Sequence, residues 1–314
     1  MTPMPMPRVL LGPQRPTVNL AEAIRAADIA EGPVALISAG WQEAEGDIAD
    51  VQDAVGLSLE DLGLYRRAES LLSADPTLAA SYRARQDRLI EQQRLYRLRL
   101  KPLAQAARAV WRWQGDTDMI AAEKRHAIAQ LRALDRHHLN RTESIHRESD
   151  LQYPAESNDR LQQHIAEIRD VLSRCRAVIL TGGNVAVLLN RARLFDIGRL
   201  IAHLPVIGWS AGAMVLAERI VLFHDRTPQG RREAEVLGTG LGLARGCIVL
   251  PDAAHRLRGG DRPRIATFSR RFAPDNCYTL DSGSMLRLDA SEIVAAQSVR
   301  RLHNDGRLVP VLPR

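Results

Sequence analysis

Cysteine is scarce in this 314-residue sequence: Cys175, Cys247 and Cys277 stand far apart, and no Cys-x-x-Cys pair occurs. That excludes a disulfide framework and a cysteine-built zinc site, and the chain is long enough to bury a core without either. Long apolar runs are also missing. Nothing approaches the roughly eighteen apolar residues of a membrane-spanning helix, so a membrane partner is not expected. The opening, Met1 to Pro7, has neither the basic end nor the apolar run of a signal peptide, which makes the cytoplasm the expected location. Lysine is nearly absent, with Lys101 and Lys124 alone among 43 basic side chains. Against 37 acidic groups these leave a mild +6 carried by arginine, which reads as compositional bias and not as a nucleic-acid surface. His126, His137, His138 and His146 cluster among arginines and aspartates, where they read as a wet helix face, with no metal or cofactor implied.

What is present divides the chain into three. Residues 1–65 alternate strand and helix signals. Arg8 to Gly12 reads as a buried strand, Asn19 as the cap of a helix from Leu20 to Ala27, and Pro33 to Gly40 as a strand without polar alternation. Unalternated apolar strands belong to a sheet covered on both faces. A further strand is expected around Asp61 to Leu64. Glycine then almost disappears. Across residues 66–150, Leu78, Tyr82, Arg85, Leu89, Gln92 and Tyr96 keep the spacing of one helical face. Pro102 should kink or end that helix, and a second should run from Asp118 to about Arg147. The region reads as a helical hairpin inserted into an α/β domain. Its charges suit a solvated face, and Tyr96, Trp111 and Trp113 suit self-association into a homo-oligomer or docking of a partner.

Residues 151–314 resume the α/β pattern. An amphipathic helix from Asp159 to Cys175 precedes strand Ala177 to Leu180, the turn Thr181-Gly182-Gly183-Asn184 and a helix from Val185 to His203. Strand Pro205 to Gly208 leads through Trp209-Ser210-Ala211-Gly212 into a helix from Ala213 to Ile220. Strand–turn–helix units with short turns imply a mostly parallel, doubly wound sheet with right-handed crossovers.

Gly208-Trp209-Ser210-Ala211-Gly212 fits G-x-S-x-G in the strand-to-helix context that gives the pattern meaning. A nucleophile there sits in a strained turn, with the helix N-terminus placed to stabilise an oxyanion. The alternative is a tight turn whose Ser210 only caps the helix. The Gly182-Gly183 turn opens at the same carboxyl edge of a parallel sheet, so the N–H groups of Gly183 and Ala211 could form a two-donor oxyanion hole. A Ser nucleophile needs a base and an orienting carboxylate. His255, after strand Cys247 to Leu250, is the candidate base, with either Asp225 or Asp252 as the acid.

These features together resemble the peptidase E/cyanophycinase family. The resemblance rests on Thr181-Gly182-Gly183-Asn184, Gly208-Trp209-Ser210-Ala211-Gly212-Ala213, Gly240-Leu241-Gly242-Leu243 before a strand, and the late turn Leu280-Asp281-Ser282-Gly283-Ser284. It covers roughly residues 177 to 290 and, more loosely, the first 65. It implies a serine hydrolase on a class I glutamine amidotransferase-like, flavodoxin-like three-layer fold, with Ser210 as nucleophile and Gly183 and Ala211 as oxyanion donors. Asp225 stands at the family's spacing from the Ser, fifteen residues on. The family's His follows the strand more closely than His255 does, at the place where this chain has Asp252. The resemblance further implies a small, acidic peptide or related amide as substrate, approached by Gly182, Asn184 and Arg256. The expected function is a peptidase E-type serine peptidase or amidohydrolase working through an acyl-enzyme. The alternative is a catalytically impaired relative that binds a partner. An α/β-hydrolase esterase is disfavoured by the missing upstream His-Gly-Gly, and a glutamine amidotransferase by Ser in place of Cys at position 210.

Overall fold

Short aliphatic runs become strands in this protein, whose computed structural model describes residues 6–225 and 233–312. Met1 to Pro5 of the opening stretch, and Arg226 beside Asp225, lie outside the described residues. The first quarter of the chain supplies β1 (Pro7–Leu11), α1 (Leu20–Ala26), β2 (Val34–Ile37), α2 (Ala49–Val55), β3 (Leu59–Asp61) and α3 (Leu64–Ala74). Three longer helices follow: α4 (Pro76–Arg112), α5 (Thr117–Gln152) and α6 (Asp159–Arg174). Then come β4 (Ala177–Leu180), α7 (Val185–Leu194), α8 (Ile197–Leu200), β5 (Val206–Trp209), α9 (Ala211–Leu216), β6 (Arg219–Leu222) and β7 (Glu235–Thr239). The chain closes with β8 (Cys247–Pro251), α10 (Ala253–Arg256), α11 (Arg262–Phe272), β9 (Asn276–Leu280), β10 (Met285–Asp289), β11 (Glu292–Gln297), β12 (Arg300–Leu302) and β13 (Leu308–Pro310).

Among the described residues the strands form a seven-stranded sheet in the order β11–β10–β1–β5–β4–β2–β3, a four-stranded sheet β13–β12–β9–β8 and the ribbon β6–β7. From β1 to β3 the neighbours run parallel, and β10 and β11 add an antiparallel edge. Alternate residues of one strand enter different cores. Leu10, Ala35, Ile37, Val178 and Leu180 bury against Ile168, Leu188 and Val215 on one face. Val9, Val34, Leu36, Ala177 and Ile179 bury against Leu20, Ile24, Val51 and Val55 on the other. Strands buried on both faces have no polar positions, which is why their sequences show no alternation. The fold is mixed α/β with a mostly parallel central sheet between helical layers, of the flavodoxin-like kind.

Several local expectations are corrected. The helix expected to reach His203 stops at Leu194, and α8 follows Asp196, whose φ of 52° breaks the first helix. The helix expected to reach Ile220 ends at Leu216, and β-branched Ile220 and Val221 pair in the β6–β7 ribbon. Asn19 stands at the start of α1 but makes no capping bond; its Oδ1 accepts from Gln14 Nε2 at 2.8 Å. The third strand ends at Asp61 instead of beginning there. Pro102 does not end α4. It lies on the exposed side of the helix, where a carbonyl freed by the proline can bond to water, while Leu100, Ala104 and Ala107 stay buried beside it.

Helices α4 and α5 pack as a hairpin whose ends leave and re-enter the α/β layers at one place. Asn158, the cap of α6, donates to Asp75, the cap of α4, at 2.7 Å. The hairpin shares its core with the second sheet: Tyr96, Leu100 and Leu131 cluster with Phe223, Ile248, Leu250 and Phe268. Tyr96 is therefore a core residue and not a docking surface, whereas Trp113 is exposed. The His cluster is not uniformly wet either. His138 is fully buried and stacks on Tyr96, with ring centroids 4.2 Å apart.

His146, half-buried, is lowered to about 3 by burial first and then by Arg193 and Arg85. The folded protein keeps this ring neutral, while the unfolded chain takes up a proton below pH ~6.5. The resulting penalty on folding is absent above that pH, grows as pH falls through it and levels off near the folded value. His146→Gln is expected to flatten this limb, read as urea midpoints at pH 7, 5 and 4 against the parent protein.

Candidate active site

Ser210 joins β5 to α9 with φ 51° and ψ −113°, a conformation that L residues adopt rarely and at a cost. Both flanking glycines are there because nothing larger fits. A Cβ on Gly212 would stand 2.3 Å from the Leu180 carbonyl oxygen, and one on Gly208 would stand 2.9 Å from the Ala213 nitrogen. Strand β4 and helix α9 thus pass so closely that the chain must turn sharply, with Ser210 at the apex. The Ser210 N–H donates to the Leu11 carbonyl at 3.0 Å, which ties the apex to the end of β1.

The Gly182-Gly183 turn lies against this apex: a Cβ on Gly182 would meet Ser210 Cβ at 3.3 Å and Trp209 Nε1 at 3.1 Å. Gly183 has φ +109°, and a side chain there would collide with the Gly40 carbonyl oxygen at 2.4 Å. Its position is held by Asn184, whose N–H donates to the Gly40 carbonyl at 2.8 Å. Among the described residues neither the Gly183 N–H nor the Ala211 N–H has a hydrogen-bond acceptor. Asn184, a candidate substrate contact, uses its Oδ1 to accept the N–H groups of Ala186 and Val187 and so caps α7.

Sequence reasoning missed the Gly40-Trp41 turn, which closes the edge beside Gly183. Its signal was the apolar strand β2, whose carboxyl end must reach the same edge as that of β4. Trp41 faces Trp209 with ring centroids 6.3 Å apart. Ser38 Oγ donates to the Glu45 carbonyl at 2.9 Å, and the buried Glu45 carboxylate accepts the N–H groups of Tyr65 and Arg66 at the start of α3. Burial raises the Glu45 carboxyl above its ordinary value, opposed by those two N–H groups.

His255 lies on α10, beyond the end of β8. Its Nδ1 is 2.6 Å from Asp252 Oδ1, and its side chain is 83% exposed. Asp252, at φ 58°, anchors the turn by donating its N–H to the Leu280 carbonyl at 2.9 Å. Asp281 ties α10 to the Ser210 side of the molecule: its Oδ1 accepts the Ala254 N–H at 2.8 Å, and its backbone packs so closely on Gly12 that no side chain fits there. Gly12 follows Leu11, the acceptor of the Ser210 N–H. Ser210 Oγ has no hydrogen-bond partner among the described residues, His255 included.

Asp225 is engaged elsewhere. It is buried, and its carboxylate binds Arg264 Nη2 at 2.8 Å and the Arg258 N–H at 3.3 Å. No hydrogen bond joins it to His255 among the described residues. Arg256 donates from Nε to Asp252 Oδ2 at 3.1 Å, so it braces the acid beside His255. Of the four arginines that follow the strand, Arg256, Arg258, Arg262 and Arg264, the last is buried on Asp225 and faces inward.

The family model of peptidase family S51 matches residues 130–295, just over half of the chain, and that span contains the Ser210 apex, the Gly183 turn and His255. The chain belongs to peptidase family S51. Membership makes it a hydrolase acting on peptide bonds, of the serine peptidase class, with peptides as its substrates. The crystal structure of a peptidase from an acI-B1 Actinobacterium is similar over 96% of this chain and 92% of its own, at 12% identity and a TM-score of 0.44. Comparison with curated proteins gave no match. No helix among the described residues of this S51 member is long and apolar enough to cross a membrane.

Proposed function

We propose that this S51 peptidase works through an acyl-enzyme on Ser210, with His255 as general base and Asp252, in place of Asp225, as the orienting acid. The strained Ser210 turn carries the reading: a serine that only capped a helix would have no use for φ 51° between two glycines that cannot be replaced. Asp252 is favoured because its oxygen already holds His255 Nδ1, which leaves Nε2 for the Ser210 proton. Asp225 is disfavoured because both its oxygens serve Arg264 or the Arg258 N–H.

In the proposed cycle His255 Nε2 takes the proton from Ser210 as Oγ attacks the scissile carbonyl. The oxyanion that forms is received by the N–H groups of Gly183 and Ala211. His255 then protonates the leaving amine, and water repeats the sequence on the ester. His255 must approach Ser210 for this, and α10 is a short helix on an exposed turn, suited to such closure; catalytic hydrogen bonds commonly tighten only with substrate present. The substrate is proposed to be a peptide with aspartate on the acyl side. Arg256 spends its Nε on Asp252 and has the rest of its guanidinium for that carboxylate.

The discriminating experiment is the second-order rate of fluorophosphonate labelling. His255→Ala and Asp252→Asn should each slow it by about 10³ to 10⁴, the loss that follows removal of a base or of its tautomer-fixing partner. Asp225→Asn should instead lower the unfolding midpoint, because it weakens the hold on a buried arginine. Wild-type labelling in Asp252→Asn would sink the assignment of the acid. Wild-type labelling in His255→Ala would remove His255 as the base, and labelling of the parent protein no faster than that of a free serine would favour an elbow that survives without one.

A further inference from the structure

A cavity of about 360 Å³ lies between α4, α5, α7 and β7 and takes no part in the chemistry above. Ala186, Leu189, Asn190 and Arg193 form its α7 wall, at the spacing of one helical face. Ala186 is in the first turn of α7, so the near end of the cavity lies within about one turn of Gly183. Arg193 marks the far end, about 15 Å from Gly183 at ~1.5 Å per helical residue. An extended peptide covers that span in four to five residues, at about 3.3 Å each.

Two observations bear on what the space can hold. Gly238 of β7 lines the cavity, yet a Cβ there would meet nothing within 4 Å, and its φ is not in the left-handed region. Crowding does not ask for glycine there, although the bulge that leaves Leu237 unpaired beside it is a place where a strand accepts one. Its missing side chain also leaves room in the cavity. Gln86 supplies the second: its Oε1 accepts from Asn190 at 3.0 Å, while its buried Nε2 has no acceptor among the described residues. A carbonyl or carboxylate oxygen in the cavity would satisfy that donor once the amide turns out toward it.

Charge narrows the ligand further. Arg94, Arg97 and Arg193 line the cavity, and no Asp or Glu lines it. Arg97 holds Glu235 at 2.7 Å, and Arg193 holds Glu143 at 3.5 Å, so these two are partly neutralised. Arg94 faces Glu91 at 3.6 Å with both side chains exposed, a weak pairing that leaves its charge available. Leu89, Leu189 and Leu237 add an apolar stretch to the wall.

We propose that this cavity is a distal subsite for peptides longer than a dipeptide, seating downstream residues that combine an apolar side chain with a carboxylate. The proposal rests on Ser210 as nucleophile, which fixes where the peptide begins, and it gives the helical hairpin a part in substrate choice. The test separates binding from catalysis. The pentapeptide Asp-Leu-Ala-Leu-Glu and the dipeptide Asp-Leu are titrated by calorimetry into Ser210→Ala protein. The pentapeptide should bind at least about tenfold more tightly. Adding Gly238→Trp, which fills the cavity, should erase that advantage. Adding Arg94→Glu, on an exposed helix face where folding is not at risk, should reduce it about fivefold. Equal affinities for the two peptides, no binding of the pentapeptide, or an advantage untouched by both substitutions would overturn the subsite. Failure of the nucleophile assignment looks different: Gly238-dependent pentapeptide binding would persist, with no fluorophosphonate adduct on Ser210 of the wild-type protein.

Discussion

Ser210→Ala is expected to abolish fluorophosphonate labelling and to lower kcat for peptide hydrolysis by about 10⁵ to 10⁶, the loss that follows removal of a nucleophile from a serine peptidase. The protein should fold as before, because the half-buried hydroxyl makes no hydrogen bond among the described residues. Ser210→Gly is the sharper companion. Ser210 is held at φ 51°, ψ −113° by the crossing of β4 and α9, and glycine adopts that conformation without the Cβ penalty. The glycine variant should therefore lose labelling completely while gaining stability, by about 1 kcal/mol or more in urea unfolding. Lost activity with gained stability is the mark of strain held for function. A glycine variant no more stable than Ser210→Ala would mean that the turn is unstrained, and the main support for the nucleophile assignment would go with it.

How much of this was legible in the sequence depends on whether a feature is local. Apolar runs such as Val34 to Ile37 and Ala177 to Leu180 identify buried parallel strands, because burial on both faces removes every polar position. The G-x-S-x-G and Gly-Gly turns were equally readable, since each is a contiguous pattern at a strand end, although the contacts their glycines answer are distant in sequence: Gly212 meets Leu180 and Gly183 meets Gly40. Partner choice was not. Asp225 stands at a plausible spacing from Ser210, but its carboxylate is claimed by Arg264, thirty-nine residues further on and in another element. His255 pairs instead with Asp252, three residues back, because the left-handed turn at Asp252 folds α10 over its own cap. The course of α4 through Pro102 was also hidden: local propensity disfavours it, and packing against α5 supplies what propensity withholds.

The largest stability loss is expected at a buried cluster that no charge count would have picked from the arginine-rich hairpin. Arg271 of α11 donates to Asp135 of α5 through Nε at 2.7 Å and Nη2 at 2.6 Å, to the Tyr96 hydroxyl at 2.8 Å and to the Ala234 carbonyl at 2.8 Å. Tyr96 of α4 donates in turn to Asp135 and accepts the Val236 N–H of β7. Burial pushes the Tyr96 phenol well above its ordinary value, so it stays protonated and keeps its donor role. Burial alone would lower Arg271, but Tyr96 and Asp135 outweigh it, and the guanidinium is held charged. Arg271→Met removes the cation and leaves Asp135 in a dry site with one hydroxyl donor among the described residues. A loss of about 3–5 kcal/mol should follow, read from urea unfolding. Against a total of about 5–15 kcal/mol, that is enough to loosen the hairpin from β7 and α11. Removing both charges is a different case. Asp135→Leu combined with Arg271→Met should cost far less than the sum of the two single changes, because no charge is left buried without its partner. Additive losses in that double-mutant cycle would mean that water reaches Asp135 once Arg271 is gone. The hairpin would then be held by its apolar contacts alone, and the wall of the cavity at β7 would stay in place without the cluster.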